Sequence, residues 1–193
     1  MDKSQEKKKA RIKFKKIRER ELILNEKLIV LQVRKFLDNL LKEKTLEQLI
    51  GIYWPIAGEV DLRSLIEYKG ISLALPAGDS QGKLTYHKWT KKPLIKDSFG
   101  IPAPLSEPPL EACEIHLLMV PALAIDKKGI RLGYGAGSFD QLRSKSDWKG
   151  VKALAIVPNA CITSYSLPKD YWDIPFDGWI NEKETYHIKS LDK

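Results

Sequence analysis

Cysteine, histidine and long apolar runs are scarce in this chain of 193 residues. Its two cysteines, Cys113 and Cys161, lie far apart and form no Cys-x-x-Cys pair. That excludes a disulfide framework and a cysteine-based metal knuckle. Each sits in an apolar or strand-like setting, so both are expected to be buried thiols in a reducing compartment. The three histidines, His87, His116 and His187, have no companion ligands at metal-binding spacing and are expected to be structural or surface groups. No Ser-His-Asp or Cys-His set is evident. No stretch approaches the ~18 apolar residues of a membrane span; the longest, Leu117 to Ile125, contains Pro121. The charged N-terminus lacks the apolar centre of a signal peptide. The expected location is therefore the cytoplasm, with no membrane partner.

Glycine and proline are missing from residues 5–44. Apolar residues recur there at Ile12, Ile17, Leu24, Leu28, Leu31, Val33, Phe36, Leu37, Leu40 and Leu41. Spacings near three and four predict amphipathic helices, with a break between two of them at Asn25. Residues 1–44 carry 15 Lys+Arg against 7 Asp+Glu, while the rest of the chain carries 18 of each. The net charge of +8 therefore belongs wholly to this segment. It fits a nucleic-acid-binding arm, a solvated helix face, or a source of cations for a smaller anion held by the body.

Beyond Lys44 the texture changes. Residues 49–55, 71–76, 83–89, 115–121 and 151–158 read as strands, several of them nearly all apolar. Such strands suit a mostly parallel sheet covered on both faces. Residues 58–70 and 137–147 read as helices, and 90–112, with five prolines, as an irregular loop. One further strand is expected near Trp179. Strands alternating with helices predict an α/β fold in a single domain spanning 1–193, with the basic segment 1–44 packed on its body.

The stretch Ile130 to Asp140, IRLGYGAGSFD, carries glycines at alternate positions. Glycine permits close backbone approach to a bulky anion, and convergent N–H groups make an anion cradle. Arg131 could add a full charge, and Asp140 could hold a divalent cation. The stretch matches neither a Walker loop nor the full dinucleotide fingerprint, since Ser138 stands where a third glycine would be. Spacing alone leaves a phosphate site and a plain turn before a helix both open.

The longer stretch VPALAIDKKGIRLGYGAGSFD, residues 120–140, resembles the signature of the 5-formyltetrahydrofolate cyclo-ligase family: a strand ending V-P-x-L-A-F-D, then R-L-G-x-G-x-G-Y-Y-D. Lys7, Arg11 and Arg18 fit that family's N-terminal spacing. PIAGEVDLRSLI (55–66), SFGIPAP (98–104) and LPKDYWDIPFDGWINE (167–182) resemble three further family stretches in order. The resemblance implies a three-layer α/β sandwich similar to sugar-phosphate isomerase-like folds. It also implies the one-carbon chemistry of folate: 5-formyltetrahydrofolate plus ATP, with magnesium, gives 5,10-methenyltetrahydrofolate, ADP and phosphate. By position, it assigns Lys7, Arg11 and the run Arg131, Leu132, Gly133, Tyr134, Gly135, Ala136, Gly137, Ser138 and Phe139 to ATP. Trp54, Glu59, Phe99 and Tyr134 are assigned to the folate, Asp140 and Asp173 to magnesium, and Arg131 with Asp140 to catalysis. Outside the resemblance, Trp54 and Phe99 also suit core packing, and Glu59 a helix N-terminus. The implied partners are the two substrates, with no nucleic acid, on a monomer or weak oligomer. Alternatives are a nucleotide-binding paralogue acting on another small pterin or carboxylate, and a nucleic-acid-binding protein using the basic segment. The chain departs from the family at Ala136, where a lysine is common, and at Ser138-Phe139 for Tyr-Tyr. It departs again at Ala103 for a frequent Glu and at Trp172 for the His before Asp173.

Overall fold

A segment of this length without glycine or proline has nothing to stop a helix, and none interrupts it. In the computed structural model, which describes residues 3–42 and 48–188, helix α1 runs unbroken over Lys3–Lys42. It is about 60 Å long at ~1.5 Å per residue. Residues 1, 2, 43 and 44 of the basic segment fall outside the described residues. The break expected at Asn25 does not occur. The Asn25 amide donates to Glu21 Oε2, one turn back, and does not compete for backbone groups. The buried stripe also differs from the expected one. Phe14, Arg18, Leu22, Ile29, Val33 and Leu37 face inward, while Ile12, Leu24, Leu28 and Leu31 are exposed. Residues 22–31 are apolar nearly all round, so periodicity alone could not choose the face.

The remaining strands are β1 (Gln48–Gly51), β2 (Ile71–Gly78), β3 (Leu84–Lys88), β4 (Ile95–Lys96), β5 (Pro102–Ala103), β6 (Leu117–Pro121), β7 (Ala124–Asp126) and β8 (Arg131–Leu132). Helix α2 (Ser138–Ser144) follows, then β9 (Ala153–Ile156), β10 (Ile162–Thr163), β11 (Gly178–Ile180) and β12 (Thr185–His187). Seven strands form one sheet in the order β12-β11-β9-β6-β1-β2-β3. The five central strands are parallel and the two edge strands antiparallel. β7, β8 and β10 make a second, small sheet, and β4 and β5 a short hairpin.

The near-continuous apolar strands behave as buried parallel strands should, with successive residues entering opposite layers. Leu117 and Met119 of β6, with Leu154 and Ile156 of β9, pack with Leu22, Ile29, Val33 and Leu37 of α1. Leu118, Val120, Ala153 and Ala155 pack on the other face with Ile125, Leu132, Leu142, Trp148 and Leu167. The fold is α/β with a large, mostly parallel sheet, as expected, but it has few helices. One face is covered by α1, the other by the small sheet, α2 and loops. Phe14, on the N-terminal half of α1, joins this second layer. The helix therefore reaches past the edge of the sheet and brings its basic end with it.

Two expected elements shrink. The helix expected over 58–70 is only a 3₁₀ turn, Arg63–Glu67. Gly58 has φ 79 and the buried Val60 and Leu62 lie before the turn. The loop at 90–112 contains the β4–β5 hairpin, and a further 3₁₀ turn, Ala112–Glu114, follows. Cys161 is buried but Cys113 is exposed, since it lies on that second turn rather than in a strand. His87 packs against Thr85 Oγ1 and Glu107 O, and His116 Nδ1 accepts from Leu49 N, as structural histidines do. Among the described residues no helix is long and apolar enough to cross a membrane.

Candidate active site

The parallel strands taken alone run in the order β2-β1-β6-β9-β11, so the winding reverses between β1 and β6. In open α/β sheets the crevice at that reversal, beyond the carboxyl ends of the strands, is where ligands bind. Trp54 and Glu59 follow β1, and the glycine stretch follows β6 through β7 and β8. The basic end of α1 extends over the same edge. Topology alone thus gathers three of the sequence stretches singled out above.

Two cavities meet there, one on each side of residues 131–140. One, of 740 Å3, is lined by Lys7, Arg11, Arg131, Asp140, Asp170 and Asp173 with Leu132, Gly133, Gly135 and Gly137. The other, of 270 Å3, is lined by Tyr53, Trp54, Glu59, Phe99, Tyr134, Ala136, Ser138 and Phe139, and shares Arg131 and the three glycines. Gly133, Gly135 and Gly137 leave bare backbone that lines both cavities, and the stretch bends at Gly135 and Gly137, with φ 119 and 72. The side chains between and after them line the apolar cavity. Of the residues expected to hold ATP, Tyr134, Ala136, Ser138 and Phe139 therefore lie on the apolar side, and Leu132 has its side chain buried in the core.

Gly133 is required for another reason. A Cβ there would stand 2.9 Å from the Arg131 guanidinium. Gly137, at φ 72, is the left-handed residue from which α2 starts, a conformation natural to glycine. Arg131 lies beneath the loop with its side chain 6% exposed. Its Nη1 donates to Pro121 O at 3.1 Å, and its Nη2 to both Asp140 oxygens at 3.0 and 3.1 Å. Arg11 Nε donates to Gly133 O at 3.1 Å. Lys7 Nζ donates to Asp170 at 2.6 Å and Asp173 at 3.1 Å. Burial works against the Lys7 ammonium, but those hydrogen bonds and the two carboxylate charges hold its pKa above the ordinary value. The charged cavity thus contains two cation–carboxylate sets, Arg131 with Asp140 and Lys7 with Asp170 and Asp173. The resemblance did not point to Asp170. Its only sequence signal is an acid three residues before Asp173.

On the apolar side, Glu59 Oε2 accepts from Ile56 N at 3.1 Å. Burial pushes its pKa up to about 6, against the pull of that hydrogen bond and of Arg18 and Arg131. Arg18 is itself 2% exposed. It donates to Ala122 O at 3.1 Å and to the Tyr134 hydroxyl, and its guanidinium lies 4.9 Å from the Tyr134 ring centre. It was expected only from its spacing, and it is what fixes the outward residue of the loop. Trp54 packs edge-on to Trp89 at 6.0 Å and under Arg63 at 4.7 Å, so it serves both packing and cavity wall. Phe99, 53% exposed, stands at the mouth. A larger cavity of 1260 Å3 opens at the opposite edge of the sheet, beside Gln48, Leu117 and Lys152. No residue expected at the site reaches it.

The charged cavity suits magnesium bound with phosphates. Mg2+ prefers one or two carboxylates plus phosphate oxygens and water to an all-protein cage. Asp140 and Asp173 line one space together with Lys7, Arg11 and Arg131. Among the described residues, no group of three or more acidic, His or Cys side chains is arranged to hold a metal.

Comparison with known proteins points to one family. The 5-formyltetrahydrofolate cyclo-ligase family matches residues 3–182. A 5-formyltetrahydrofolate cyclo-ligase of Haemophilus influenzae is 25% identical over 181 residues, 89% of this chain and 95% of that one. One from Escherichia coli K12 is 26% identical over 148 residues, 71% of this chain and 79% of its own. The NMR structure of Aquifex aeolicus 5,10-methenyltetrahydrofolate synthetase covers 100% of this chain and 97% of its own, with TM-score 0.70 and 27% identity. A Mycoplasma pneumoniae 5,10-methenyltetrahydrofolate synthetase shares the fold, with TM-score 0.64 and 19% identity over 95% of this chain and 100% of its own.

Proposed function

The chain belongs to the 5-formyltetrahydrofolate cyclo-ligase family and is an enzyme converting 5-formyltetrahydrofolate to 5,10-methenyltetrahydrofolate; we propose that it does so with ATP, each substrate in its own cavity and the glycine stretch between them. The observation that carries this reading is the shared wall of bare backbone between a cavity rich in charge and one rich in aromatics. The formyl oxygen attacks the terminal phosphoryl group of ATP and ADP leaves. Nitrogen 10 then attacks the activated carbon and gives up its proton to the departing phosphate or to water, and the carbon–oxygen bond breaks to release phosphate. No protein nucleophile is required. What is required is two ligands held in line and charge spread over the moving phosphoryl group.

On the ATP side, Lys7 and Arg11 hold the phosphates. Their present partners support this. Each is turned inward, onto Asp170 and Asp173 or onto the glycine stretch, rather than out toward a nucleic acid. Asp140 and Asp173 would hold magnesium, which supplies positive charge to the phosphate oxygens when bound. Cations and carboxylates that neutralise one another in the free protein would then exchange partners with an incoming metal–phosphate pair, and no bare charge is buried at any stage. On the folate side, the Glu59 carboxylate accepts from the donor edge of the pterin, and Trp54, Tyr134 and Phe99 provide aromatic faces. Kinship with sugar-phosphate isomerase-like folds, a monomer or weak oligomer, and action in the cytoplasm belong to the same reading.

Incubation with 5-formyltetrahydrofolate, ATP and Mg2+ tests it. One ADP and one phosphate should appear for each methenyl product. ADP formation without methenyl product would favour a paralogue that acts on another acceptor.

A further inference from the structure

The charged cavity needs Asp140 and Asp173 together, yet they belong to segments far apart in the chain, one on α2 and one on an irregular tail. The tail is tied down at both ends of its loop. Leu167 N donates to Asp126 Oδ2 at 2.9 Å, and Phe176 N donates to Gly129 O at 2.8 Å. Neither anchor lies on α2. The link to α2 is made by Arg143. Its Nη1 donates to Ile174 O at 2.9 Å and its Nη2 to Pro175 O at 3.1 Å, the two carbonyls that directly follow Asp173. Its guanidinium stacks 4.3 Å from the Phe176 ring centre.

Arg143 lies three residues after Asp140 on the same short helix, and residues so spaced share a face. One helix therefore presents one carboxylate and holds the backbone next to the other. We infer that Arg143 is a positioning residue that sets Asp173 against Asp140 and so tunes metal–nucleotide binding, without touching either ligand. This inference rests on the proposed function of the charged cavity.

The side chain's surroundings argue against simple packing. Arg143 is 2% exposed, and its Nε has no hydrogen-bond partner among the described residues. Burial lowers its pKa to about 10, against the nearby Asp177 carboxylate. A buried guanidinium is costly, and apolar side chains of similar volume often replace one without loss of stability. Leucine at this position would fill the space against Phe176 but would release both carbonyls. Lysine keeps the charge but lacks the planar fork that spans two acceptors.

The test is Mn2+ binding, followed by electron paramagnetic resonance in the presence of a non-hydrolysable ATP analogue, on wild type, Arg143→Lys and Arg143→Leu. Binding of 5-formyltetrahydrofolate alone is followed by tryptophan fluorescence. Losing a group that orients a metal ligand weakens metal binding by roughly 10- to 100-fold. That loss is expected for Arg143→Leu, with a smaller one for Arg143→Lys and folate affinity within about twofold of wild type in both. Combined with Asp173→Asn, Arg143→Leu should add little further loss, because both changes remove the same interaction. Folded variants that bind Mn2+ as wild type does, or that lose folate in parallel, overturn the inference and leave the proposed function standing. A wild type that binds no Mn2+ with the analogue overturns the proposed nucleotide site itself, and the role of Arg143 with it.

Discussion

The two cavities on either side of the glycine stretch share Arg131, Gly133, Gly135 and Gly137 and little else. The charged one is bounded by the far ends of the chain, the start of α1 and the tail, which meet through Lys7, Asp170 and Asp173. The apolar one is bounded by the loop that follows β1 and by the turn of the β4–β5 hairpin. The difference teaches how one strip of backbone serves two chemistries. Its three glycines leave bare backbone open to both cavities, while Tyr134, Ala136, Ser138 and Phe139 line the apolar one alone. The sharpest way to break the comparison is to remove what both cavities share.

Arg131→Ala carries the largest expected effect. It leaves Asp140 without its cation and Pro121 O without a donor, in a nearly buried setting. Removing one partner of such a pair costs about 4 kcal/mol. Steady-state kinetics should show kcat/KM lower by about a thousandfold, with KM raised for both substrates. A change in one KM alone would mean that Arg131 serves a single cavity. Asp140→Asn strikes the charged side only. It should lower kcat/KM by about a hundredfold, on the scale of lost metal charge effects, and leave folate KM near wild type.

Glu59→Gln strikes the other side. Loss of a charge-assisted hydrogen bond costs about 1.5–3 kcal/mol, so folate KM should rise about tenfold or more while ATP KM stays level. The pH profile sharpens this. The Glu59 pKa stands at about 6, above the ordinary 4.5, because burial disfavours its charged form. The carboxylate acceptor is present above about 6 and lost below it, so wild-type folate KM should rise as pH falls through that value. The glutamine variant should lack that rise. The stability sign runs the opposite way. A raised carboxyl contributes stability that is present below its ordinary pKa and lost as pH rises through 6. Thermal unfolding at pH 8 should therefore find Glu59→Gln no less stable than wild type.

The smallest effect is expected from Ala136→Lys. Ala136 lines the apolar cavity and not the charged one, at the exposed part of the stretch. A lysine there approaches the reacting atoms from the folate side. It should raise kcat several-fold and leave ATP KM near wild type, since charge grows on the phosphoryl group only as it moves. An unchanged or lower kcat in a folded variant would mean that this position does not face the phosphoryl group.

Much of this comparison was legible in the sequence, through features that depend on short range. The helical character of the basic segment, though not its continuity past Asn25, the apolar strands and the alternating glycines each follow from local chemistry. The family resemblance named Lys7, Arg11, Glu59, Asp140 and Asp173 by position. What it could not give was which side of the stretch each residue faces. Tyr134, Ala136, Ser138 and Phe139 read as one phosphate run because sequence order does not say which cavity each side chain lines. Asp170 and Arg143 went unmarked for a related reason. Each acts through tertiary contacts, with Lys7 at one end of the chain and with the carbonyls of Ile174 and Pro175. The face of α1 was misread because apolar residues surround its middle turns, and packing rather than period decided the outcome.

The claim that two ligands occupy two separate cavities is tested most directly by binding, without turnover. Dissociation constants for a non-hydrolysable ATP analogue and for 5-formyltetrahydrofolate are measured separately on Lys7→Ala and Trp54→Ala. The account predicts that Lys7→Ala weakens the nucleotide about tenfold or more, the loss of a charge-assisted bond, with folate affinity unchanged. Trp54→Ala should do the reverse. Both variants weakening the same ligand, or each weakening both alike, would contradict it.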